Sequence, residues 1–315
     1  MLNRVVESLY WIGRYTERAE NHARLIDAFY HIREEAASDD TLWIRIVQAL
    51  GDPATFESEH RTYKEQEVLY YMVLDPNHAN SIISCIQYAK TNLKRARERL
   101  PEELWDILNG FAIWLKSSEA DELLSESPFL FLRKVKERLG AFYGAAHSSM
   151  LRDQQWYMME SGRYLERAEN TARLLESVYD SITENKKQTE FYLLSAIRAI
   201  GGVDVYRRLY SEQFTLGDTV SLLILNEMFP RSVQFGLSGL ESSLRSIRNL
   251  NGADSLYDKT IRLVVKAKSE MSWLEASDLS EQSLQDNLLH CIKLINQLGH
   301  SVGNIFFRTE QGGHP

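Results

Sequence analysis

Two stretches of this chain carry the same charged side chains in the same order. Gly13-Arg14-Tyr15-Thr16-Glu17-Arg18-Ala19-Glu20-Asn21 returns 149 residues later as Gly162-Arg163-Tyr164-Leu165-Glu166-Arg167-Ala168-Glu169-Asn170, and Arg24 and Arg173 extend the two copies. Arginine presents a planar fork of donors that fits a carboxylate or a phosphate. A glutamate beside it can serve as a general base or close an ion pair. Six arginines (Arg14, Arg18, Arg24, Arg163, Arg167, Arg173) stand against four glutamates (Glu17, Glu20, Glu166, Glu169), a local positive surplus in a chain whose net charge is −8.

Several chemistries fit these residues. Arg14, Glu17, Arg18, Asn21, Arg24, Arg163, Glu166, Arg167, Asn170 and Arg173 are candidates to line a slot for an anion such as a phosphate, a nucleotide or a peptide carboxylate. Glu17 and Glu166 are the candidate catalytic bases, with arginines to stabilise developing negative charge. The structural alternative is an ionic network between two facing helices, which fixes register while adding little net stability. A metal centre is disfavoured: carboxylate sites in bundles add Glu-x-x-His pairs, whereas the spacing here is Glu17-x-x-Glu20 and Glu166-x-x-Glu169, and His22 has Thr171 as its counterpart. No Gly-x-Ser-x-Gly elbow, Walker-type loop or dinucleotide glycine fingerprint is present, so the sequence implies neither metal nor cofactor.

Helices must position these side chains. At about 100° per residue, Arg14, Glu17, Arg18, Asn21 and Arg24 share one sector of roughly 120°, while Ile12, Tyr15, Ala19, Ala23, Ile26 and Tyr30 gather on another side. Small alanines there would permit close approach. Apolar residues recur at three- and four-residue intervals through most of the chain, and hairpin signals are scarce. Helices are expected over Thr41 to Leu50, Glu190 to Ile200 and Phe129 to Met150, with breaks at Gly51-Asp52, Gly201-Gly202, Asn251-Gly252 and Gln311-Gly312-Gly313. Pro53, Pro76, Pro101 and Pro128 are each suited to a first helical turn. The expected fold is all-α, a single helical bundle over residues 1–315. Its two similar halves, about 1–149 and 150–315, would be related by a pseudo-twofold axis.

Composition narrows the class further. The 315 residues, 44% of them apolar, suffice for a substantial core. Cys85 and Cys291 fit no disulfide framework and read as buried thiols in a reducing compartment. No secretory signal is expected, and the apolar run from Val220 to Leu225 is far short of the roughly 20 residues that span a bilayer. A cytoplasmic protein with no membrane and no nucleic-acid partner is therefore expected, the latter because the net charge is negative. Two basic runs, Lys90/Lys94/Arg95/Arg97/Arg99 and Arg133/Lys134/Lys136/Arg138, read either as solvated faces or as a rim for an acidic partner. Trp11, Tyr15, Trp105, Trp114, Trp156 and Tyr164 fall at helical spacings and read as core.

The chain resembles the alpha-E proteins, a bacterial all-helical family of poorly defined function named for a Glu-Arg motif. The matching words are Leu9 through Glu20, Asn92 with Arg97, Trp105-Asp106-Ile107-Leu108-Asn109, Met150-Leu151-Arg152-Asp153 leading into Gly162 through Glu169, and Phe229-Pro230-Arg231-Ser232-Val233. Lys90 and Lys94 stand where the family pattern leads one to expect arginine, which weakens a bidentate role there. The resemblance implies partnership with ATP-grasp-type ligases and transglutaminase-like peptidases, with which such proteins are encoded or fused, in forming or processing amide-linked peptides. Three roles follow as expectations: an accessory partner of the ligase that binds an anionic substrate or shapes the complex, an enzyme using Glu17 or Glu166, or a purely structural bundle.

Overall fold

The computed structural model describes residues 2–32, 41–50, 52–251, 255–272 and 281–306. The described residues form fifteen α-helices and no strand. In order they are α1 (Leu2–Ile32), α2 (Thr41–Leu50), α3 (Pro53–Glu59), α4 (Glu65–Val73), α5 (Ile82–Ala96), α6 (Glu102–Trp114), α7 (Ser118–Glu126) and α8 (Pro128–Ser149). There follow α9 (Gln154–Glu184), α10 (Thr189–Ala199), α11 (Val203–Leu209), α12 (Leu216–Val220), α13 (Val233–Asn251), α14 (Ser255–Ser272) and α15 (Glu281–Phe306). The apolar run after α12 continues as one wide π-type turn, Ser221–Leu225. None of the described helices is long and apolar enough to cross a membrane.

The two motif copies lie on α1 and α9, each 31 residues long. These helices pack on each other at the centre, with α5, α8 and α10 also against α1, and α13 and α15 against α9. Of the apolar stripe of α1, Ile12, Ala19, Ala23 and Ile26 are wholly buried and Tyr15 and Tyr30 half-buried against them, and one continuous apolar cluster runs from Val6 to Val302.

Local signals set the ends. Asp153 caps α9 by accepting from the Gln155 and Trp156 amides at 2.9 and 3.3 Å. Ser81 caps α5 through the Ser84 amide, and Ser232 caps α13 through the Phe235 amide. Gly201, at φ +67°, closes α10 with its amide on the Arg198 carbonyl, as its left-handed conformation permits. Pro53 and Pro128 begin α3 and α8, and Pro101 immediately precedes α6. Pro76 marks the turn between α4 and α5 instead of entering a first helical turn. There Asp75 accepts from the Asn77 amide at 2.8 Å and the Ser81 hydroxyl binds the Asp75 carbonyl at 2.6 Å, so the helix starts only at Ile82. Gly51, Gly252 and residues 311–313, where further breaks are expected, lie outside the described residues.

Candidate functional site

The ionic faces of α1 and α9 meet. At their crossing the two backbones meet at Gly13 and Gly162. A methyl on Gly13 would drive into the Met159 carbonyl and lie 2.9 Å from the Arg163 nitrogen; one on Gly162 would drive into the Tyr10 carbonyl and lie 3.2 Å from the Arg14 nitrogen. Only hydrogen fits at either position, and the backbones touch there.

Beyond the glycines the carboxylates are gripped from the opposite helix. Glu17, fully buried, accepts from Arg167 Nε and Nη2 at 2.8 and 2.7 Å. Glu166, 1% exposed, accepts from Arg18 Nε and Nη2 at 2.7 and 3.1 Å and also pairs with Arg14 Nε. Both are two-point Arg–carboxylate forks. At the flanks Arg14 reaches Glu169 at 2.8 Å, Arg24 holds Glu20 at 2.7 Å and Arg173 holds Glu169 at 2.7 Å. Asn170 donates to Glu166 at 3.2 Å, and Asn21 accepts from Arg231 at 3.0 Å.

All ten candidate binding residues thus lie along this seam, but Arg163 takes a different course. Its guanidinium pairs with Glu160 at 3.2 Å and lies over the Tyr143 and Tyr164 rings at 4.9 and 5.5 Å. In its place Arg231 reaches Glu17 at 3.5 Å and also pairs with Glu20. Arg231 stands in one of the words that carry the family resemblance but not among the site candidates, and Glu160, Tyr143 and Asn80 carry no signal of their own in the sequence. Asn80 accepts from Arg18 at 3.2 Å; Tyr143 donates to Thr16 at 3.2 Å and approaches Glu17 at 3.5 Å. Glu160 does lie on the ionic face of its helix, three residues before Arg163, but the first copy has Trp11 at that place, so comparing the repeats hides it.

The inner charges balance. Five arginines (Arg14, Arg18, Arg163, Arg167, Arg231) meet five glutamates (Glu17, Glu20, Glu160, Glu166, Glu169), and the remaining positive charge sits at the ends, on Arg24 and Arg173, whose side chains are 30% and 49% exposed. Burial alone would raise the Glu17 carboxyl, but Arg167 and then Arg231 bring it down to about 2. Glu166 shows the same contest, with Arg14 and Arg18 holding it at about 2. Glu160 is the exception: burial raises it above the ordinary range despite Arg163, and its Oε1 has no hydrogen-bond partner. Burial lifts the Cys85 thiol to about 12 and, aided by Arg18, depresses the His22 imidazole to about 3, so both are neutral near pH 7. Cys85 and Cys291 are both buried and free.

The seam is therefore a set of anions already held by the chain's own cations. No group of three or more His, Cys, Asp or Glu side chains that could hold a metal ion occurs among the described residues.

Comparison with known proteins places the chain in a family. The chain is 23% identical over 329 residues to uncharacterized proteins of Mycobacterium tuberculosis and Mycobacterium bovis, covering 98% of this chain and 37% of each relative. It therefore spans little more than a third of the length of those curated relatives. No solved structure matches. Residues 1–307 match the family Alpha-E, described as a predicted alpha-helical domain with a conserved ER motif. Glu-Arg steps stand at Glu17-Arg18 and Glu166-Arg167, where each glutamate is gripped from the opposite helix, and with residues 1–307 matched the chain belongs to the Alpha-E family.

Proposed function

We propose that this protein is a cytoplasmic helical partner of an ATP-grasp-type amide-forming ligase, and that the α1/α9 seam gives it a fixed shape for that complex. The observation that carries the reading is the closure of Glu17 and Glu166 by Arg167 and Arg18. A carboxylate held near 2 is a weak proton acceptor at neutral pH, so a role for either as general base draws little support. In the mycobacterial relatives the matched region is part of a much longer chain, which suits a unit that works beside other domains. The ligase itself, an anionic substrate of the same pathway and a transglutaminase-like peptidase as further partner rest on the family resemblance.

The same reading treats residues 1–315 as one bundle with two halves about a pseudo-twofold axis. Its support is reciprocity. Gly13 meets Met159 and Arg163 as Gly162 meets Tyr10 and Arg14. Arg18 grips Glu166 as Arg167 grips Glu17, and the turns capped by Ser81 and Ser232 make matching hydrogen bonds.

Crosslinking the full chain in its native host, followed by mass spectrometry, is expected to retain an ATP-grasp-type ligase; recovery of none would overturn the proposal. Loss of amide-forming turnover in a folded Glu17→Gln, Glu166→Gln variant that still binds the ligase would instead favour catalysis by this chain.

A further inference from the structure

The two basic runs of the sequence meet different fates. In the second, Arg133 pairs with Glu137 at 3.6 Å, Lys134 with Glu119 at 2.6 Å and Lys136 with Asp27 at 2.6 Å, and Arg138 lies over the Trp114 ring at 5.0 Å. In the first, Arg97 lies over Trp105 at 4.9 Å and near Glu102 at 3.8 Å, and Lys90 lies 6.0 Å from the same ring. Arg95 and Arg99 are exposed and have no acidic partner among the described residues.

Those two arginines stand on the rim of a cleft of about 250 Å³ where the end of α5 meets the beginnings of α1 and α9. Its floor is apolar, made by Val5, Val6, Leu9 and Ala96; Leu9 and Ala96 are buried to within 1%. Glu98 shares the rim but forms no ion pair with either arginine. Across the cleft stand Gln154 and Gln155 of α9, where the Gln155 and Trp156 amides are already taken by Asp153, so the charged donors are the guanidiniums.

We infer that this cleft binds an amphiphilic monocarboxylate, an apolar group of amino-acid side-chain size next to a carboxylate, as at the C-terminal residue of a peptide. The volume lies just below the usual range for drug-sized ligands, which suits a group of one residue. Apolar floor and cationic rim are complementary to the two ends of such a group: the side chain leaves water against Val5, Val6 and Leu9, and the carboxylate accepts from Arg95 and Arg99. Neither arginine takes part in the α1/α9 network, so the site is independent of the ligase partnership and can stand or fall without it.

Calorimetric titration of the full chain with N-acetyl-leucine tests the inference. Binding is expected, and it should weaken at least tenfold for N-acetyl-leucinamide, which lacks the charge, and for acetate, which lacks the side chain. Arg95→Gln with Arg99→Gln, both at exposed positions, should also weaken it by about tenfold for the two together, since a charged contact at an exposed position is worth up to about fivefold. Equal affinity of a pentapeptide ending in leucine would identify chain ends as the source, and its exclusion would identify a free small acid. No binding of N-acetyl-leucine, equal binding of the amide, or affinity unchanged in the double variant would each overturn the proposal.

Discussion

A buried carboxylate between two guanidiniums is strong evidence of geometry and weak evidence of stability. Removing one partner leaves an uncompensated charge, at about 3–5 kcal/mol, whereas replacing the whole pair by apolar groups can be neutral. Glu17→Gln is therefore expected to destabilise by about 3 kcal/mol or more, because Arg167 and Arg231 lose their shared anion. Glu17→Met with Arg167→Met should lose much less than Glu17→Met alone, and denaturant titration of the parent, the two single Met variants and the double variant reads the coupling. Glu160 should behave in the opposite sense. Its carboxyl is raised by burial, so its ionised form is disfavoured in the fold, and stability is full below the unfolded value and declines as pH rises through the folded one. Glu160→Gln, neutral at every pH, is expected to raise the melting temperature at pH 8 and to leave it nearly unchanged at pH 4. A variant less stable at both would show that its pair with Arg163 dominates.

At the scale of elements, the seam depends on two missing side chains. Gly13→Ala or Gly162→Ala places a methyl against a carbonyl of the facing backbone, which no rotamer change can relieve. The helices must separate, misaligning every fork beyond the crossing, and the expected result is a loss of about 3 kcal/mol, at the upper end of overpacking effects, or failure to fold. Circular dichroism with thermal melting decides it; a melting point within a few degrees of the parent would mean that α1 and α9 do not approach this closely. The capping serines are milder determinants. Ser81→Ala and Ser232→Ala should each lower stability by about 1 kcal/mol, since each removes a cap and a tie across its turn. These turns also deliver Asn80 and Arg231 to the network, each immediately before its serine, so a cap defect should propagate to the ionic seam.

For the whole molecule the seam predicts an acid limit. Glu17 and Glu166 fall from an ordinary 4.5 to about 2 in the fold. Their contribution is complete above 4.5 and disappears as pH falls toward 2, amounting to about 3 kcal/mol for each carboxylate. His22 begins the decline earlier, because the unfolded imidazole takes a proton below 6.5 that the buried ring refuses until about 3. Stability measured by urea titration should therefore slope downward below pH 6.5 and steeply below 4.5, and a flat profile between pH 6 and 3 would contradict this electrostatic account.

Much of this was legible in the linear chain. The three- and four-residue spacing of apolar side chains, the capping residues and the glycine break at Gly201 are local, so helix positions such as Thr41–Leu50 and Pro128–Ser149 agree with expectation. Pro76 stands in a turn and not in a first helical turn because Asp75 accepts there from the Asn77 amide and the Ser81 hydroxyl donates to the Asp75 carbonyl. The repeat likewise announced two helices with matching ionic faces. Which guanidinium would meet which carboxylate was decided only in three dimensions. Arg14 and Arg163 occupy the same place in the two copies, yet Arg14 joins Glu166 and Glu169 while Arg163 turns to Glu160. That difference comes from Glu160 standing where the first copy has Trp11, and from Arg231, 211 residues from Glu20, arriving on another helix's cap to take the vacant partner. Helical periodicity is written between neighbours along the chain, but charge neutrality in a buried seam is settled among all the groups that folding brings together.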